Sequence, residues 1–191
     1  MKRILESTLG FTLLEMILTA AIIAIVAGMA VPLLMDISDS IKLGESTREV
    51  ERELQIARLT AVSSNQPIRM RFDCPAAGQY RMTELVGTPS VPAAADSAAN
   101  RCALANYPYP ADSDQSPLTR PNKDGPLRYL DPKVSFSSAI TIEFWPDGSA
   151  HTNTGGTNPW PPISGNASVI LTKSGKTKTI LVNSVGKIQI Q

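Results

Sequence analysis

The chain has 191 residues, room for one apolar segment and one modest domain. Its 18 Lys plus Arg nearly cancel its 17 Asp plus Glu, which leaves no basic surplus for nucleic acid and no acidic solvating tail. Fifteen Pro and 12 Gly, against 4 Phe, 4 Tyr and 2 Trp, indicate a loop-rich globular part with a small core.

The first predicted element is a helix that begins in a membrane-like run. "STLGFTLLEMILTAAIIAIVAGMAVPLLMD" carries one charge, Glu15, between Ser7 and Met35. The 20 uncharged residues from Met16 to Met35 would make about 30 Å of helix, the thickness of a bilayer core. Lys2 and Arg3 precede the run, so the positive-inside rule keeps the N-terminus in the cytoplasm and exports the rest. A secretory signal cut at Val31, after Gly28 and Ala30, and a plain signal anchor both fit this outline. Neither gives Glu15 a purpose, although a carboxylate at the bilayer centre costs roughly 2.5–3.5 kcal/mol on insertion scales.

"GFTLLE" resembles the type III signal of type IV pilins and pseudopilins. That resemblance implies a leader of residues 1–10, removed by a prepilin peptidase between Gly10 and Phe11. It also implies an N-methylated Phe11 and an assembly role for Glu15, the fifth residue after the cut. Pro32 falls at the position where many pilins carry a helix-loosening proline. In the filament such proteins form, Glu15 would pair with the Phe11 amine of a neighbouring subunit, recovering much of the cost of a buried charge. A carboxylate that is merely protonated and tolerated is the plainer alternative.

Helical spacing continues past the apolar run through Ile37, Ile41, Val50, Leu54, Ala57 and Ala61, thinned at Gly44. Glu45/Arg48 and Glu49/Arg52 suit an amphipathic surface. Pro67 is the stop signal. One helix over residues 11–64 is therefore predicted, loosened near Pro32, with residues 11–35 as membrane or assembly segment and 36–66 as the amphipathic half.

From residue 67 to 191 the hydrophobic period changes to two. "IRMRF" at 68–72 and "QYRMTELV" at 79–86 are predicted to pair around a turn at 76–78. Further strands are expected at "ITIEF" (140–144), "ASVILT" (167–172), "TKTILV" (177–182) and "GKIQIQ" (186–191), with turns at "PDG" and "KSGK". Residues 87–132 hold eight of the 15 prolines and, like 153–165, are expected to be long surface loops.

"LQIARLTAVSSNQPIRM" is similar to the helix end and first strand of the GspH/FimT family of minor pseudopilins and minor type IV pilins. "ITIEFWPDG" and "TKTILVNSVGKIQI" match that family's later phrases in outline, while residues 87–132 match none. The resemblance implies an α+β, type IV pilin-like fold, a long helix packed on antiparallel sheet. It implies a structural subunit in the bacterial inner membrane with its C-terminal domain in the periplasm. Its partners would be other pseudopilins or pilins, the prepilin peptidase and the inner-membrane assembly platform. A minor pseudopilin of type II secretion is the favoured expectation. A FimT-like minor pilin in pilus assembly or DNA uptake is the alternative, and a membrane-anchored binding domain that never polymerises is a third reading.

The motifs indicate no enzyme, cofactor or metal. His151 is the sole histidine, and a surface or structural role is expected of it. Cys74 and Cys102 lack metal or redox spacing and are expected to form a disulfide in the periplasm, stabilising the domain by about 3–4 kcal/mol in the chain-entropy treatment. "ADSDQS" at 111–116 and "NKDG" at 122–125 lack calcium-loop spacing, so solvated turn carboxylates are expected. Trp145 and Trp160 are read as packing residues. The family feature tied to DNA is Gly-Arg-x-Arg. Here Gly186, Lys187, Ile188 and Gln189 keep one cation of two, and Lys173, Lys176 and Lys178 offer at most a small basic patch, which argues against DNA as a partner.

Overall fold

A computed structural model describes residues 10–108, 121–153 and 156–191. The expected leader and the "ADSDQS" stretch lie outside the described residues, except Gly10. Helix α1 (Leu13–Ser64) is the longest element. Residues Met1–Asp39 and Ser40–Gln191 form two compact units.

In the first unit α1 opens at Thr12, whose Oγ1 accepts the Glu15 backbone N–H at 3.3 Å. The first-turn donors of a helix have no partner within it, and a threonine at this position supplies one. The helix passes through Pro32 unbroken. Proline has no N–H to give to the Gly28 carbonyl, so one rung of the ladder is missing while the helical path continues. This part of α1 is long and apolar enough to cross a bilayer, with a mean hydropathy of 2.6 over its best 18 residues and none of that window buried.

In the second unit α1 buries Leu43, Val50, Leu54, Ala57 and Ala61, a stripe at helical spacing. Its end is set by Asn65 in the left-handed conformation (φ 53°) and by Gln66 N–H donating to the Ala61 carbonyl at 3.2 Å, just before Pro67. The strands that follow are β1 (Ile68–Phe72), β2 (Gln79–Glu84), β3 (Arg128–Tyr129), β4 (Ser135–Ala139), β5 (Ile142–Phe144), β6 (Ala150–Thr152), β7 (Asn166–Lys173), β8 (Lys176–Asn183) and β9 (Ile188–Ile190), with a short helix α2 (Ala94–Ser97) between β2 and β3. They form two antiparallel sheets, ordered β3-β2-β1-β5-β6 and β4-β7-β8-β9. The α1 stripe, Ile68, Met70 and Tyr80 of the first sheet, and Val169, Leu171, Ile180 and Val182 of the second share one core. The protein is thus α+β, an apolar N-terminal helix with antiparallel sheets.

The predicted strands fall close to β1, β2, β5, β7, β8 and β9. Four short elements were not foreseen: α2, β3, β4 and β6. Residues 87–132 keep the expected loop character over most of their described parts, broken by α2 and β3, and they are ordered against one face of the first sheet. The alternation in "IRMRF" and "QYRMTE" turns Ile68, Met70, Tyr80 and Met82 to the core, and Arg69, Arg71, Arg81 and Thr83 to the opposite face. Residues 87–108 and 121–126 lie against that opposite face. Arg69, Arg71 and Arg81 donate to the main-chain carbonyls of Asp96, Ala98, Cys102, Tyr107 and Gly125. Three of these guanidinium bonds, to Ala98, Tyr107 and Gly125, measure 2.7–2.8 Å. A loop poor in apolar side chains is held by charged donors that reach its backbone.

Candidate functional site

The first unit carries the sequence-predicted assembly residues. Gly10 and Phe11 precede the helix, and the Phe11 side chain is 78% exposed. Glu15 lies in the first turn of α1, where a carboxylate is favoured by the helix dipole, and its side chain is exposed among apolar neighbours. Thr12-Leu13-Leu14-Glu15 also has capping-box spacing, a local signal that the sequence reading missed. Leu13, Leu14, Ile17, Leu18, Ile22, Ile23, Ile25 and Val26 are all exposed. Among the described residues, this segment has nothing packed on it and one carboxylate near its start.

In the second unit Cys74 and Cys102 are joined by a disulfide, which fastens the insert beside the end of β1. The solvated-turn reading of "NKDG" fails at Asp124. This residue is 3% exposed, and its two oxygens accept from both terminal nitrogens of Arg101, Oδ1 at 2.7 Å. Asp124 Oδ1 also accepts the Glu84 N–H at 2.8 Å, and the Glu84 carboxylate in turn accepts the N–H groups of Asn122 and Lys123. Arg101 stacks over the Tyr107 ring at 4.3 Å. The cause is one of surroundings. Two arginines buried behind the sheet demand a carboxylate, and the loop carries Asp124 in to meet them.

His151 is buried, and its structural role is explicit. Its ring lies 3.9 Å from that of Trp145, stacked at 8°. Nδ1 is 2.8 Å from the Trp160 carbonyl, and Nε2 is 2.8 Å from Ser149 Oγ. Asp147, Ser149 and His151 therefore meet in one cluster. Ser149 stands between the other two: its hydroxyl lies 2.6 Å from Asp147 Oδ1, and its main-chain N–H donates to the same oxygen at 2.9 Å. Those bonds from Ser149 hold the Asp147 carboxyl below the usual carboxylate range. Trp145 donates Nε1–H to Glu143 at 2.7 Å, and Trp160 lies 4.0 Å beneath the guanidinium of Arg69, which pairs with Glu143 at 2.7 Å. Among the described residues no cluster of His, Cys, Asp and Glu is arranged to hold a metal ion.

The expected basic patch also needs correction. Lys173 is buried and donates Nζ–H to the Pro132 carbonyl at 2.9 Å, so it is withdrawn from the surface that Lys176 and Lys178 occupy. Gly186 has a structural part of its own, through Arg58, a residue the sequence reading did not single out. Arg58 donates Nε–H to the Gly148 carbonyl at 3.0 Å and Nη2–H to the Val185 carbonyl at 3.2 Å. Gly186, at φ 72°, passes so close that a Cβ would strike both the Gly148 carbonyl and Arg58. Arg58, Gly148 and Gly186, from three separate stretches of the sequence, thus meet at one clamp.

The chain matches no known protein family, no curated protein and no solved structure.

Proposed function

We propose that the protein is a minor pilin-like subunit, cut after Gly10 and assembled into a filament through its apolar helix, with type II secretion as the favoured setting. The observation that carries the reading is the arrangement at the start of α1. Gly10 and Phe11 stand in accessible chain ahead of the helix, and Glu15 follows within one turn on an otherwise apolar, unburied segment. A lone carboxylate in that position is costly in lipid and useful where a cationic amine can meet it. Cleavage before Phe11 creates such an amine on every subunit. Glu15 of one copy and Phe11 of the next would then set the stagger between copies, and burial of the exposed leucines and isoleucines between helices would supply the cohesion.

The second unit supports the secretion setting over DNA uptake. Lys173 is buried, and Lys176 stands at the opposite end of β8 from Lys187, so these cations form no continuous patch for phosphate contacts, and fewer contacts mean lower affinity for DNA. Intact mass and N-terminal sequencing of membrane-extracted protein test the proposal. A chain beginning at methylated Phe11 is expected. A chain beginning at Val31, or one uncut at Met1, would refute it.

A further inference from the structure

Between α2 and the far strands of the first sheet lies an open cleft of about 360 Å³, within the second unit and remote in sequence from the assembly segment. That volume falls at the lower end of small-ligand sites. We propose that this cleft binds a carboxylate group presented on a short peptide, with Arg71 as its counter-ion.

The charge inventory of the walls leads there. Arg69 is paired with Glu143, whose other oxygen accepts the Trp145 indole N–H. Asp96 lines the cleft as well, but its two oxygens accept three main-chain N–H groups, from Val86 at 2.7 Å, Gly87 at 3.0 Å and Ala93 at 2.7 Å. Arg71 is left. It donates Nη1–H to the Ala98 carbonyl at 2.8 Å, and among the described residues it forms no ion pair. Burial, then Arg69 and Arg101, push its pKa down. A half-buried guanidinium with one neutral acceptor is costly, and an incoming anion offsets that cost through charge-assisted, two-pronged hydrogen bonds.

The remaining lining fits a peptide-borne carboxylate. Ser97, Thr141 and Thr152 present hydroxyls, and Asn153 an amide, along its walls. Ile140 and the edge of Trp160 offer apolar surface for a side-chain stem. One unpaired cation beside the spoken-for Asp96 suits a monoanion better than a dianionic phosphate. The proposal stands whether or not the chain assembles into a filament.

The test uses the full chain in detergent micelles and four probes: N-acetyl-Ala-Ala with a free C-terminus, N-acetyl-Glu amide, N-acetyl-Ala-Ala amide and inorganic phosphate. Binding is followed by the NMR resonance of the Arg71 Nε–H and by calorimetry. Saturable binding of one or both carboxylate probes, with a shift at Arg71 and none from the neutral amide, is expected. The first probe alone would identify a chain terminus as the ligand, the second alone an acidic side chain, and both the carboxylate itself. Arg71→Gln should weaken binding at least about tenfold while Arg71→Lys retains part of it, as loss of a charged hydrogen bond requires. No saturable binding, phosphate binding more tightly, or an Arg71 resonance unmoved at saturation would overturn the proposal. The last readout needs no variant, so a misfolded Arg71→Gln protein does not rescue it.

Discussion

Removing Arg58 should loosen the joint between α1 and two distant turns, and the size of the effect follows from its two bonds. A hydrogen bond from a charged donor contributes roughly 1.5–3 kcal/mol. The bond to Gly148 is partly buried and takes the full range, whereas the bond to Val185 is exposed and its carbonyl regains water when the side chain is lost. Arg58→Ala should therefore cost about 2–3 kcal/mol. Gly186→Ala should cost about 2–4 kcal/mol, because φ 72° strains an L-residue and the new methyl drives into Arg58 and the Gly148 carbonyl. The double variant separates these causes. Without the guanidinium, part of the clash disappears, so the combined cost should fall short of the sum by about 1 kcal/mol. Urea unfolding of the full chain in detergent, read by tryptophan fluorescence, measures all three, since Trp145 begins the turn that contains Gly148. A single-variant cost for Arg58→Ala below about 0.5 kcal/mol, or additivity within about 0.3 kcal/mol, would refute the clamp.

Other outcomes follow from the same contacts. Glu15→Ala should leave the chain in the membrane yet abolish its incorporation into filaments, scored by co-sedimentation with sheared filaments; undiminished incorporation would count against a registering role. Reducing the Cys74–Cys102 bond, which spans a separation of 28 residues, should lower stability by about 3–4 kcal/mol, seen as a drop in urea midpoint with reductant. Asp124→Asn strips the charge partner from buried Arg101 and Arg81 and should cost about 3–5 kcal/mol, with an unfolding midpoint far below that of wild type. The Asp147 carboxyl titrates lower in the folded chain than in the unfolded one, so its contribution is present above the unfolded value near pH 4 and is lost as pH falls through the folded value. The stability gap between wild type and Asp147→Asn should accordingly be open at pH 6 and narrow as the pH falls below about 4.

Local order was legible where one stretch of chain carries its own signal. The apolar run, the 3.6-residue spacing up to Ala61 and the stop at Pro67 describe α1, because a helix makes its hydrogen bonds within itself. Alternation in "IRMRF" and "TKTILV" marks β1 and β8, because burial on one face leaves a period of two. Gly10, Phe11 and Glu15 stand out for a related reason, since a charge in an apolar run is conspicuous without any fold. Tertiary structure alone decided the rest. Strands β4 ("SFSSA") and β6 ("AHT") are short and polar, and exist only because β7 and β5 offer them partners. The Pro/Ala-rich insert has little apolar surface to bury, so nothing in its composition announces that arginines on β1 and β2 hold its backbone. Asp124 looks like an ordinary turn carboxylate until Arg101 and Arg81 surround it. Arg71 looks like one strand cation among several until its neighbours are seen to be paired and it is not. Such features depend on which charges come together, and that is fixed by long-range packing, to which the order of residues along the chain gives no local clue.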